Sequence, residues 1–509
     1  MKKVLVKNSI YGLAQTVINL LLLFFTIPVF IKMLGSEAYG VFALMMVVGN
    51  LNTFTNLGLT SSLIKFLAEQ DKTEESNIDI LTNLLLTLMV SLPFTIIAIR
   101  FSRFVLLDIL KIPLNMFDGA KWLYFWLLLA NFLLLVGQVF KSILDARQKI
   151  YVTSFQQIFY NIVYWGLILV VLNFNQNLSG VGLAIFVSAF VWFAITSISA
   201  IKEWGAISFA NLSNGFKKSA KKQLIYGLKI YTSGLIGFFY EPFSKILISN
   251  FIGIKEVGFF DIALKLRSQL WGLVNKIFYP LFPFISGQKD KFVIRKYVHD
   301  IEQKAFLVIV PLIAIIVLLM HPFVKIWIGE NVEIISITAI FIISFHMIGS
   351  AVIPNYQFLM AKNLAQKTII LQLSNVIFNA LIFGVTVHLL RYYASIAGNV
   401  AAIMSAFFLS LYYQKKYLDS LIFDSFSQVL KLIASFFILI LLGSIIKMVL
   451  DGHNILMIIV IPLILLPITI LLYKVFGLVR LEDIHRYFGK HNMLARTFAK
   501  IYYTGDYLK

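Results

Sequence analysis

The chain has no cysteine, and only 13% of its 509 residues are charged. The first absence excludes disulfides, thiolate metal sites and thiol nucleophiles. The second, set against 60% hydrophobic and 15% aromatic residues, excludes an ordinary soluble domain. Acids are scarce, 24 Asp and Glu against 44 Lys and Arg, for a net charge of +20. No Gly-x4-Gly-Lys-Ser/Thr occurs, so no phosphate-cradling loop for ATP is present. The histidines at 299, 321, 346, 388, 453, 485 and 491 show no metal-ligand spacing. His346 reads as a packing or interhelical hydrogen-bonding residue.

What the chain has instead is a succession of apolar runs near 20 residues long, each enough to cross a bilayer as a helix. The pattern predicts an all-α polytopic membrane protein with fourteen spans: 8–31, 38–64, 81–100, 122–140, 152–173, 179–201, 224–250, 256–283, 305–326, 334–360, 368–388, 394–413, 428–447 and 455–476. The first run is too long for a signal-peptide core and is read as a retained helix. With a cytoplasmic N-terminus, 29 of the 44 Lys and Arg fall on inner segments and nine on outer ones. That is the positive-inside bias, which places both termini in the cytoplasm. The basic excess is a topology signal, and no nucleic-acid partner is expected.

The longest polar inner loop, 202–223, carries "KKSAKK" at 217–222 and separates two halves that share local motifs. "YGL" at 11–13 recurs at 226–228, and "GSEAYGVF" at 35–42 has a counterpart in "GIKEVGFF" at 253–260. Six helices per unit in equal orientation fits a parallel transporter repeat. The expected organisation is a first six-helix bundle (1–201), a basic linker (202–223), a second bundle (224–417), helices thirteen and fourteen (418–478) and a basic tail (479–509). Apolar residues alternate with basic ones along the tail. It reads either as an amphipathic helix on the inner leaflet or as a solvated basic extension.

Spans seven and eight carry charges that lipid cannot solvate. On span eight, Asp261, Lys265, Ser268, Gln269, Asn275 and Lys276 share one helical face. Span seven has a matching stripe with Glu241 and Lys245. Levelled at ~1.5 Å per residue, Glu241 and Lys265 share a depth, as do Lys245 and Asp261. Two cross-helix ion pairs are therefore predicted, Glu241–Lys265 and Lys245–Asp261. Such pairs act either as a structural clasp or as groups that carry a coupling proton or Na+. Lys229, Arg267 and Lys276 remain over, and cations beside a cavity attract anions such as phosphate. Arg267 departs from the stripe. The first half instead carries amides, Gln15, Asn19, Asn52 and Asn56, which suit either sugar hydroxyls or interhelical hydrogen bonds.

"IPVFIKMLGSEAYGVFALM" at 27–45 and "TNLGLTSSLIKFLAEQ" at 55–70 resemble the opening of bacterial polysaccharide flippases, members of the multidrug/oligosaccharidyl-lipid/polysaccharide exporter (MOP) superfamily. "YEPFSKILISNFIGIKEVGFFDIALKL" at 240–266 resembles the seventh and eighth helices of the same family. The resemblance implies two six-helix bundles in a V, plus two further helices, in a bacterial inner membrane. It also implies transfer of a polyprenyl-pyrophosphate-linked oligosaccharide (an O-antigen type of cargo) to the outer leaflet by alternating access.

In that reading Lys229, Lys276 and Arg267 meet the pyrophosphate, while Gln15, Asn19, Asn52, Asn56, Gln269 and Asn275 face sugars. No cofactor is expected beyond a coupling H+ or Na+. The chain is expected to act as a monomer beside a polysaccharide polymerase. Lipid II flippases carry arginines in their first two helices, where this chain offers only Lys32 and Lys65. The rivals are a cation-coupled multidrug exporter of the same fold and a membrane-embedded glycan polymerase or glycosyltransferase. The exporter predicts acids dominating the cavity. The enzyme predicts a large extramembrane loop or a catalytic carboxylate pair.

Overall fold

A computed structural model describes residues 2–49, 55–175, 177–205, 207, 212–278, 281, 285, 288–362, 364–423 and 425–479. The basic tail predicted at 479–509 lies, after its first residue, outside the described residues. All regular structure among the described residues is helical. The principal helices are α1 (Lys2–Gly49), α2 (Leu59–Glu69), α3 (Glu74–Arg100), α4 (Phe117–Ala146), α5 (Ile150–Asn175), α6 (Leu178–Trp204), α7 (Leu212–Phe238) and α8 (Glu241–Phe251). There follow α9 (Ile254–Phe278), α10 (Lys291–Trp327), α11 (Val332–Ser350), α12 (Ile353–Ala361), α13 (Ala365–Leu390), α14 (Tyr393–Leu418), α15 (Phe426–Val449) and α16 (Asn454–Val475).

Eleven stretches among the described residues are long and apolar enough to span a membrane. Four predicted spans depart from single apolar helices, one of them, 334–360, being α11 followed by the short α12. Span 38–64 begins inside α1, which bends at Gly35 (φ 85°), and resumes at α2 after a left-handed turn at Leu57 and Gly58. Span 224–250 is two helices, because α7 ends at Phe238 and α8 restarts at Glu241 with Pro242 in its first turn. Proline is tolerated there, where its missing N–H would have no helical partner. Span 256–283 is α9, whose run of charges lowers its apolar character. The second half of the basic linker, from Leu212, is helical and runs into α7.

Packing divides the chain into two compact units, Met1–Ile262 with Val376–Gly398, and Ala263–Asn375 with Asn399–Lys509. In the first, α6 packs on α4 and α5, α1 packs on α5 and α8, and α7 lies against α2 and α3. In the second, α11, α15 and α16 all pack on α10. Leu318 of α10, Leu439 of α15 and Ile461 and Leu465 of α16 form one buried cluster. Gly443 makes that approach possible, since a Cβ there would sit 2.2 Å from Leu318 Cδ1. The two terminal helices, which the repeat leaves without counterparts, thus have their own seat on α10.

Within the first unit the two repeat-related motifs cross each other. A Cβ on Gly40 would lie 2.0 Å from the Ile254 carbonyl oxygen, and one on Gly258 would lie 3.1 Å from the Tyr39 ring and 3.3 Å from Gly40 N. Gly40 and Gly258 occupy matching places in the Gly-x4-Gly motifs, so equivalent positions of the two motifs lie close together. A carbonyl cannot move aside as a flexible side chain does. We expect Gly40→Val to lower the thermal unfolding midpoint in detergent, on the scale of the ~1–3 kcal/mol that overpacking costs. Gly166→Ala, where no atom lies within 4 Å of the added carbon, should leave the midpoint unchanged.

Candidate functional site

Charge is brought together at both ends of the broken helix pair α7–α8. At the α8 end, Ser244, Lys245, Ile248 and Ser249 form the buried face of a short helix. Lys245 Nζ lies 2.5 Å from Asp261 Oδ1 on α9. The Tyr39 hydroxyl donates to the other carboxylate oxygen at 2.8 Å. The ammonium also lies 3.5 Å from the Ala43 carbonyl. Lys245 is 9% exposed and Asp261 3%. Burying two ions costs several kcal/mol each, about what a close pair with further hydrogen bonds can offset. The glycine crossing beside the pair is what lets these backbones come so near. In the 218-residue offset of the repeat, Asp261 stands where the first half has Ala43, so the pair lies at the crossing and breaks its symmetry.

The helix break above this pair is covered by α13. Asn379 Nδ2 donates to Ser244 Oγ at 2.6 Å and lies 3.5 Å from the Tyr240 carbonyl, to which Ser244 itself donates at 2.7 Å. Glu241 opens α8 and is half-buried, and Lys265 is half-buried on α9. These two belong to different compact units, and their pairing stays a proposal.

At the α7 end, a second buried network joins α7 to α3. Lys222 Nζ lies 2.7 Å from Asp79 Oδ2 and 3.4 Å from Glu75 Oε1. Ser219 donates to Asp79 Oδ1 at 2.5 Å. Gln223 donates to the Asp79 carbonyl and accepts from Asn83 Nδ2 at 2.6 Å. The spacing makes this possible: 75, 79 and 83 on α3, and 219 and 223 on α7, each repeat at one helical turn. Backbones meet here too, as a Cβ on Gly58 would lie 2.2 Å from the Gly227 carbonyl. Lys65 sits 4.3 Å over the Tyr226 ring. A recess of about 350 Å³ opens beside the network, lined among others by Glu75, Lys218 and Lys222.

The remaining predicted residues are distributed as follows. Arg267 is buried on α9, with Nη1 2.8 Å from His346 Nε2 on α11. A guanidinium only donates, so Nε2 accepts and the imidazole proton sits on Nδ1, 2.9 Å from the Ile342 carbonyl. Arg267 is thus turned toward a neighbouring helix, in keeping with its departure from the polar stripe. Asn19 accepts from Asn161 on α5. Asn56 caps its own turn, accepting from Thr60 N and donating to Thr60 Oγ1. Gln15 and Gln269 are half-buried. Lys229, Asn275 and Lys276 lie on described helices, but their side chains, and Asn52 altogether, lie outside the described residues.

Sequence reasoning missed Tyr39, Asp79, Lys222 and Asn379. Lys222 was hidden inside a basic run that reads as a topology signal, and Asp79 at the mouth of an apolar run reads as a solvated helix start. The available signal was the one-turn repetition of polar residues at 75, 79 and 83. Asp261→Asn leaves the buried ammonium of Lys245 without its counter-charge and should destabilise the protein by ~3–5 kcal/mol. Lys245→Met combined with Asp261→Leu should recover most of that loss. Denaturant unfolding in detergent micelles measures both; equal losses in the single and double variants would show that the charge pair is not the cause.

Comparison with known proteins places this geometry in a family. The model of the polysaccharide biosynthesis protein family matches residues 5–288. A Shigella flexneri protein named "Putative O-antigen transporter" is 22% identical over 361 residues, covering 69% of this chain and 83% of that protein. Among solved structures, the lipid II flippase MurJ in an inward closed conformation superposes with a TM-score of 0.69 at 14% identity, covering 94% of this chain and 98% of that one. The Vibrio cholerae MATE transporter VcmN gives 0.54 at 14% identity, covering 82% and 99%. With the fold of the MOP-superfamily transporters and a family match over more than half its length, the chain belongs to the polysaccharide biosynthesis protein family.

Proposed function

We propose that this protein is a flippase that moves a polyprenyl-pyrophosphate-linked oligosaccharide from the inner to the outer leaflet of a bacterial cell membrane, for surface polysaccharide assembly. The observation that carries the reading is the double fastening of α7–α8. One end is tied to α3 through Asp79 and Lys222, the other to Asp261 and Tyr39 through Lys245. Two charged closures at opposite ends of one broken helix run are what alternating access needs, each able to open while the other holds. The family match and the names of the O-antigen and lipid II relatives support the cargo class.

In this reading both termini are cytoplasmic, so Asp79–Lys222 is the inner closure and Lys245–Asp261 the outer one. Lys229, Lys276 and Arg267 attract the pyrophosphate, and Gln269, Asn275 and the first-half amides Gln15, Asn19, Asn52 and Asn56 meet the sugars. The lipid tail stays in the bilayer, and no bond is made or broken. Glu241 and Lys265 are charged groups of the transport path. The chain acts as a monomer beside a polymerase that consumes its product.

Depleting the protein in its native cells should build up lipid-linked oligosaccharide on the cytoplasmic leaflet and remove surface glycan. Unchanged glycan lipids with new drug sensitivity would instead favour a multidrug exporter of the same fold. In the same assay, Asp79→Lys should abolish glycan display, and adding Lys222→Asp should restore part of it. A double variant no better than the single one would sink the role of that pair as a closure.

A further inference from the structure

The second compact unit buries a carboxylate that no transport step above uses. Glu302, on α10, has no solvent exposure, and neither do Asn355 of α12 or Gln414 of α14. Gln414 Nε2 donates to Glu302 Oε2 at 2.5 Å and lies 3.5 Å from Ser420 Oγ. The Asn355 backbone N–H donates to the Glu302 carboxylate. Asn355 Nδ2 donates to the Ser410 carbonyl and hydroxyl, both at 2.8 Å. Every side-chain donor of the group is therefore engaged. Three buried oxygens have no partner: Glu302 Oε1, Asn355 Oδ1 and Gln414 Oε1.

With Glu302 ionised, the amide orientations follow. Turning Gln414 over would set its carbonyl against the carboxylate, and turning Asn355 over would set its carbonyl against the Ser410 carbonyl. No basic side chain pairs with Glu302 among the described residues. A buried carboxylate without a counter-charge is not a stable arrangement, since an isolated buried ion costs far more than its surroundings return. Two things can neutralise it. A proton on Oε1 would give one donor and leave at least one amide oxygen unserved. A cation is ligated by oxygens of any of these kinds and needs no hydrogen from them.

We propose that Glu302, Asn355 and Gln414 form a binding site for a monovalent cation, Na+ by its preference for oxygen ligands, with the Ser410 and Ser420 hydroxyls holding the two amide nitrogens. Hard cations are held by carboxylate and amide oxygens of this kind. One carboxylate balances one positive charge, whereas a divalent ion would leave a buried net charge. The site is held on α10, α12 and α14 alone, apart from Lys245, Asp261 and Glu241. Its occupancy adds to the Gln414–Glu302 hydrogen bond that already ties α14 to α10.

The test uses the full chain purified in detergent in choline chloride, with thermal unfolding followed as NaCl replaces choline at constant ionic strength. The wild type should show a saturable rise in midpoint with Na+. Glu302→Gln, a neutral isostere that keeps the shape, should show no Na+-dependent rise and a Na+-free midpoint at or above that of the wild type. Gln414→Leu, which keeps the charge but removes one oxygen, should shift half-saturation to higher Na+. Retention of the full Na+ response in Glu302→Gln would overturn the proposal. So would a wild type indifferent to Na+ whose midpoint falls as pH rises from 5 to 8, since that pattern belongs to a proton on Glu302.

Discussion

Hydrocarbon offers no partner to a charge or to an open backbone group, and the architecture of this protein follows from that constraint. An ammonium placed inside an apolar bundle must bring its own counter-ion, and the counter-ion must find its remaining bonds within the protein. Lys245 illustrates the chain of consequences. It needs Asp261, whose second oxygen needs the Tyr39 hydroxyl. Those three groups meet only because Gly40 and Gly258 let two helices approach to backbone distance. The glycines and the ions are one feature seen at two scales.

The same logic governs the broken helix. Interrupting a transmembrane helix exposes carbonyls, and a membrane protein tolerates this only where other groups cover them. Pro242 stands in the first turn after the interruption, Ser244 folds back on the Tyr240 carbonyl, and Asn379 closes over both. A sequence that puts Pro, Ser and a charged residue on either side in one apolar run is carrying a cost. That cost falls where the chain has to bend, between its two charged closures.

Much of the scaffold was legible because membrane helices announce themselves by length and hydropathy, one span at a time. The Lys245–Asp261 distance was legible as well, because antiparallel helices convert residue number into depth. The other charged network was not. Asp79 and Lys222 lie 143 positions apart, and each sits where a charge is expected for a trivial reason, beside the polar linker. Glu302 was concealed in the same way, at the border of a predicted span, where an acid reads as surface. Sequence position gives depth along a helix axis, but whether a border residue faces water or a neighbouring helix depends on rotation. Rotation is set by packing partners remote in the chain.

Spacing of the two closures along α7–α8 has a consequence of its own. Lys222 lies sixteen residues before Phe238, and Lys245 lies four after Glu241, with the interruption between them. A continuous helix would transmit a displacement at one closure rigidly to the other, so that releasing one would strain the other. An interruption at residues 239–240 separates them mechanically, because two residues outside the helical ladder absorb rotation at little cost. On the transport reading, the two charged closures can then open in turn, and the interruption is what makes their independence possible. Making residues 239–240 helical would couple them. The protein would keep its fold and both ion pairs while losing the freedom to exchange one closed end for the other.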